Sequence, residues 1–121
     1  MKYVDGFVIP IPKKNLRAYA RMAKQGAEAW LRHGALDYKE CVAEDLKPAW
    51  GVPFSQPVRL RPGETVIFSY IVFKSRAHRD RVNAKVIREM EKQGPMEMPF
   101  DVKRMVYGGF TVIVEAGASA R

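Results

Sequence analysis

The residues of this 121-residue chain with the look of chemistry are carboxylates, tyrosines and an arginine set inside otherwise apolar or turn-forming stretches. Asp5 interrupts the run YVDGFVI, Glu40 stands beside Cys41 in LDYKECVAEDL, and Asp101 precedes Lys103 and Arg104 in MPFDVKRMVYGGF. A carboxylate drawn into a partly dry pocket holds its proton more tightly and can serve as acid or base, and a hydroxyl such as that of Tyr70 or Tyr107 can donate to a developing oxyanion. Asp5, Glu40, Tyr70, Arg104 and Tyr107 are therefore the candidate site residues. The competing use of Asp5 and Arg104 is structural: an ion pair between neighbouring first and last strands, since such networks also perturb titration.

Other chemistries find less support. Cys41 would need a base to become a nucleophile, and neither His33 nor His78 has a sequence reason to lie near it, so a buried, inert cysteine is expected. Two isolated histidines and one cysteine show no metal-ligand spacing, and the histidines, the conventional choices for a heme iron, sit among arginines and lysines. No metal and no cofactor are expected.

Positioning these residues requires strands and helices in a definite order. Tyr3 to Ile9 reads as a strand, ended by Pro10 and Pro12, which cannot continue a ladder and can open a helix. From Lys13 to His33 apolar residues recur at nearly helical spacing (Leu16, Tyr19, Ala20, Ala23, Ala27, Trp30 and Leu31), with Gly34 as the stop. Leu36 to Leu46 is an imperfectly alternating, edge-like strand. A long proline-rich crossing, residues 47–63, follows and ends in a Pro62-Gly63 turn; Trp50 within it lines a pocket entrance, bridges to a partner or anchors the loop. Glu64 to Lys74 is apolar on both parities, so both faces should be buried. Ser75 caps a second helix that carries Val82, Val86, Ile87 and Met90 on one face and stops at Gly94. Arg104 to Glu115 is the last strand, interrupted at Gly108-Gly109 by a bulge or a close backbone approach. Residues 117–121 form a fraying tail.

The length suits one domain with its own core, residues 1–121, and the composition is that of a globular protein. No window approaches the ~18–20 apolar residues of a spanning helix, and the N-terminus, broken by Asp5 and two prolines, does not read as a secretory leader. With one cysteine no intrachain disulfide can form, which suits the cytoplasm. The net charge of +8 favours salt-sensitive, nonspecific adhesion to nucleic acid, and Arg17, Arg21, Lys24, Arg81, Lys85, Arg88 and Lys92 give each helix a basic outer stripe. RNA binding through this face is the main alternative to a small-molecule pocket, and a purely structural module is the third.

The order βαββαβ is the ferredoxin-like α+β arrangement, with two helices on one face of a four-stranded antiparallel sheet. Its other face would remain a large apolar patch unless a second copy covers it, so an isologous homodimer is expected. MKYVDGF, GAL and EC around the second strand, VIFSYIVF and above all MPFDVKRMVYGGF resemble the YbaA-like family of small bacterial proteins of unknown function. That resemblance implies a dimeric α+β barrel, in which two sheets press together. Relatives in that wider group include monooxygenases, isomerases and heme-handling enzymes that use the cavity between sheet and helices or the barrel interior. It carries over no catalytic residue. A pocket framed by the sheet and the loop from Lys47 to Pro62, with cofactor-independent acid/base or monooxygenase-like chemistry, is the leading functional expectation.

Overall fold

The computed structural model describes residues 1–118; Ser119 to Arg121, most of the expected tail, lie outside them. The elements run β1 (Tyr3–Pro12), α1 (Leu16–Arg32), β2 (Asp37–Val42), β3 (Glu64–Phe73), α2 (Arg76–Lys92) and β4 (Val106–Thr111), with short 3-10 turns at Lys13–Asn15 and Val102–Arg104. Strand order is β2-β3-β1-β4 with every pair antiparallel, the ferredoxin-like α+β arrangement.

Side-chain alternation sorts the sheet into two faces. Asp5, Phe7, Ile9 and Ile11 of β1 and Ile67, Ser69, Ile71 and Phe73 of β3 turn toward the helices, where most are buried. The core forms in two neighbouring clusters, one of Ile71, Phe73, Val82 and Val86 with Ala29 and Ala35, the other of Ile9, Ile11, Tyr19, Ala23 and Ile67. α1 faces the sheet with Tyr19, Ala23, Gly26 and Ala29, mostly small residues whose bulk does not fill the space beneath them. Leu31 and Ile87, apolar by sequence pattern, point outward.

Local signals explain the helix ends. The Ser75 hydroxyl accepts from the His78 N–H at 3.1 Å and caps α2. Gly34, at φ 118°, closes α1: its N–H reaches the Leu31 carbonyl while that of Ala35 reaches the Trp30 carbonyl, the paired bonds of a Schellman stop.

Four expectations need correction. β4, expected from Arg104 to Glu115, spans only Val106–Thr111. β1 does not end before its prolines: Pro10 and Pro12 stay in register opposite Val66 and Glu64. The Lys13 N–H bonds the Gly63 carbonyl, so odd-numbered residues direct their N–H toward β3. Pro10 and Pro12 thus present their missing donors on the β4 side, where pairing has already ended at Val8–Val106. Gly108-Gly109 is no bulge, because the register runs unbroken through Gly6–Gly108 and Asp5–Gly109. It is a close approach: the Phe110 ring lies over Gly6 and Gly108, and a Cβ on Gly109 would collide with the Tyr3 ring. β2 is shorter than its pattern suggests; after Ala43, whose N–H still bonds the Val66 carbonyl, Asp45 accepts from the Lys47 N–H at 2.9 Å and turns the chain away.

The face opposite the helices carries Val4, Val8, Phe68, Tyr70, Val72, Val106 and Phe110. Phe68 is 44% exposed, Val106 52% and Phe110 60%, so the second face of β3 is only partly covered within the protomer. The Phe54 ring, from the proline-rich crossing, meets Phe68 edge-on at 6.1 Å.

Candidate functional site

Between α1, the sheet and the segment that follows α2 lies a cavity of about 250 Å³. Phe7 and Ile9 of β1, Tyr38 and Glu40 of β2, and Ser69 and Ile71 of β3 form its floor, and Tyr19, Ala23, Gly26 and Trp30 of α1 form its roof. The void follows from the small residues on α1: the place a Cβ would take on Gly26 lies 3.4 Å from the Tyr38 hydroxyl and 3.3 Å from the Trp30 ring. A glycine inside a helix costs about 0.5–1 kcal/mol relative to alanine, and here it is what leaves room for the phenol. Gly94, Met96, Met98 and Phe100 rim its mouth. Every methionine of the chain apart from Met1 lines this space: Met22, Met90, Met96, Met98 and Met105. Thioether side chains give a polarizable wall that can re-form around different shapes.

Glu40 supplies the polarity. The Tyr19 hydroxyl donates to Oε1 at 2.7 Å and the Tyr38 hydroxyl to Oε2 at 2.6 Å. Burial, then the hydrogen bond to Glu40, pushes both phenols far above the ordinary tyrosine range, so they stay protonated donors throughout neutral pH. A carboxylate offers about four acceptor sites and the phenols take two, leaving two for a guest. Among the described residues lining the cavity, Glu40 is the one charged side chain, and it enters no ion pair.

Asp5 and Tyr107 belong to a second, packed network. Asp5 is 1% exposed. Arg79 of α2 donates through Nη1 to Asp5 Oδ1 at 2.7 Å and to the Tyr107 hydroxyl at 2.9 Å, and its guanidinium lies 4.9 Å from the centre of the Tyr3 ring. Asn83 Nδ2 donates to Asp5 Oδ2 at 3.2 Å, and Trp30 Nε1 donates to Asn83 Oδ1 at 2.9 Å. The Tyr107 ring stacks on Phe7 at 4.8 Å, and burial, then the Asp5 charge, raises its hydroxyl's pKa. The chain of contacts ties both helices to β1 and β4. Trp30 shares the network with the cavity, so the two are mechanically joined.

The remaining candidates disperse. Arg104 does not reach Asp5; it makes a fork to Glu64 (2.6 and 2.9 Å) and donates to the Val58 and Arg59 carbonyls, pinning the proline-rich crossing. The expected Asp5–Arg104 pair fails because β4 begins only at Val106, leaving Arg104 in the preceding turn beside the start of β3. Tyr70 sits on the face away from the helices, near Lys39. Cys41, expected to be buried, is exposed on that same face opposite Phe68. Trp50 is 87% exposed, so its ring is not packed into the body of the protomer. The helix-side cavity is framed by residues 94–100, with the Asn15 amide holding the Pro99 carbonyl at 2.9 Å and Phe100 meeting Tyr19 edge-on; the expected pocket between the sheet and the proline-rich crossing is a separate one of about 270 Å³, lined by Cys41, Val42, Val66, Phe68 and Phe54. His78 Nδ1 accepts from the Lys74 N–H, and burial followed by nearby Lys74, Arg81 and Lys85 lowers its pKa. Among the described residues, no group of three potential ligands is placed to hold a metal ion, and no helix is long and apolar enough to cross a membrane.

Sequence reasoning selected Glu40 but missed Tyr19, Tyr38 and Arg79. The parity of Tyr38 and Glu40 in DYKEC was a usable signal, since residues two apart on a strand share a face. Arg79 carried none: it reads as one more base in a basic helix.

Residues 2–102 match the profile of a family described as "Protein of unknown function (DUF1428)". The chain is 40% identical over 116 residues to "Uncharacterized protein YbaA" of Escherichia coli (strain K12), an alignment spanning 95% of this chain and 99% of that protein. The same figures hold for the protein of that name in Shigella flexneri. Among solved structures, "De novo designed protein Foldit4" aligns over 93% of this chain and 99% of its own at 15% identity and a TM-score of 0.47.

Proposed function

The chain belongs to the DUF1428 family of YbaA-like proteins, and since membership brings no activity with it, we propose from its geometry that it binds a small, largely apolar molecule in the helix-side cavity. The observation that carries this reading is one carboxylate, Glu40, held by two phenols at the wall of a space lined, apart from Ser69, by methionines, aromatics and small or aliphatic residues. Apolar walls with a few converging polar groups are the usual make-up of a ligand site, and about 250 Å³ lies just below the ~300–1,000 Å³ of drug-sized pockets. The guest is accordingly small. Glu40 would receive a donor of the guest, and in a turnover reading it would take the proton of a bound acid, chemistry that needs no cofactor. The same deprotonation would open cofactor-independent oxygen chemistry.

The reading includes a homodimer. A second copy laid sheet to sheet would cover Phe68, Val106 and Phe110, leaving the helix-side cavity of each protomer open. Cytoplasmic residence completes it, because an exposed free thiol at Cys41 suits a reducing compartment. A second use of the surface is nonspecific nucleic-acid adhesion, favoured by the exposure of all seven basic side chains of the two helical stripes; it should weaken steeply between ~50 and ~200 mM salt.

The methionines provide the test. In a fragment screen read by 13C-methyl methionine NMR, a cavity ligand should shift the signals of Met22, Met90, Met96, Met98 and Met105 and leave Met1 unmoved. Fragments that bind without touching those five methyls, or a screen in which none moves them, would refute the site.

A further inference from the structure

Resting on that reading of the cavity, we propose that its ligand is a cation, a small lipophilic amine whose ammonium group sits against Glu40 and whose carbon frame lies among the aromatics and methionines. Charge is the first argument. Glu40 is the one charged residue among the described residues lining the cavity, and both hydrogen bonds it accepts come from neutral phenols. A carboxylate drawn out of bulk water is costly unless paired, and elsewhere in this fold the part-buried acids have their cations: Asp5 has Arg79, and Glu64 has Arg104. Glu40 lacks one, although 21 lysines and arginines were available to supply it. A guest that brings the missing charge gains what a neutral guest cannot.

The walls are the second argument. Trp30 and Tyr38 stand with ring centres 5.9 Å apart, and Tyr19 and Phe100 5.8 Å apart, both pairs lining the same space as Glu40. Aromatic faces attract a desolvated cation through their quadrupole, and such rings combined with an acid are how amines and alkylammonium groups are recognised. An anionic guest would meet Glu40 as a like charge, and a purely hydrocarbon guest would leave its two remaining acceptor sites unsatisfied.

Three probes of like size separate the cases: 2-phenylethylamine, 2-phenylethanol and phenylacetate, titrated at pH 7 and read on the methionine methyls of the intact protein. The amine should bind at least about tenfold more tightly than the alcohol, and phenylacetate should not bind; tenfold corresponds to about 1.4 kcal/mol. In Glu40→Gln, which keeps size and can keep the phenol contacts, amine and alcohol should come within about threefold of one another. Tyr38→Phe, which frees a lone pair of Glu40 without removing its charge, should retain the preference for the amine. If wild type binds alcohol and amine equally at the five methyls, the cavity is a site but not a cation site. Amine preference surviving in Glu40→Gln would also overturn the proposal, and silence of all three probes at those methyls would remove both the cation and the cavity reading.

Discussion

Replacing Asp5 by alanine should be among the most damaging single changes in the protein, although Asp5 lies outside the cavity. The side chain is 1% exposed and meets Arg79, itself 13% exposed, at 2.7 Å. Removing one partner of such a pair leaves the other buried without compensation, at a typical cost of about 3–5 kcal/mol. The low end applies here, because Arg79 keeps its contact with Asp80 at 2.8 Å and its place over the Tyr3 ring. Against a total stability of about 5–15 kcal/mol, a loss of about 3 kcal/mol is severe. For a chain of this size it corresponds to a fall in Tm of roughly 10 °C. Urea unfolding followed by circular dichroism, at one fixed protein concentration so that any dimer contributes equally, should show a lower midpoint with an unchanged slope. Arg79→Met should be costly as well, but the double variant should be more stable than the sum of the singles by at least about 1.5 kcal/mol, because neither buried charge is then orphaned. A cost below about 1 kcal/mol for Asp5→Ala, or strict additivity in the cycle, would refute the view that this pair clamps α2 onto the sheet.

Gly109→Ala should destabilise by about 1–3 kcal/mol, since the new methyl meets the Tyr3 ring and forces it away from Arg79; Gly109→Ala combined with Tyr3→Ala should recover much of this in the same denaturation assay. Glu64 has its pKa held below the ordinary 4.5 by the hydrogen bonds from Arg104, so its stabilising contribution is complete above that value and is lost as pH falls through the folded-state pKa. Glu64→Gln should therefore be less stable than wild type at pH 7, with the gap narrowing at acid pH; a gap independent of pH would contradict this. Phe68→Lys with Phe110→Lys should turn a sheet-to-sheet dimer into a monomer in sedimentation equilibrium at micromolar concentration, whereas a wild type already monomeric there would remove the dimer from the proposal.

What could be read along the chain was whatever depends on near neighbours. The period of α1, its glycine stop, the Ser75 cap and the dense apolar β3 each follow from residues a few positions apart, and their order limited the fold to βαββαβ. The closing motif identified the family for the same reason, being a contiguous string. Where the local rule has a directional component, the sequence was not enough. Pro10 and Pro12 signal a strand end only if their missing donors face a partner, and it is the stagger of β4 against β1 that turns them toward empty space. Partner choice was likewise invisible: Asp5 and Arg104 carry complementary charges, yet their positions in the fold hand them to Arg79 and Glu64. Glu40 was visible as an acid, but what makes it a candidate site is made by distance in three dimensions. A phenol from α1, 21 positions away in the chain, converges on it with one from its own strand, and small residues on a helix leave space beneath them that only the packed sheet turns into a cavity.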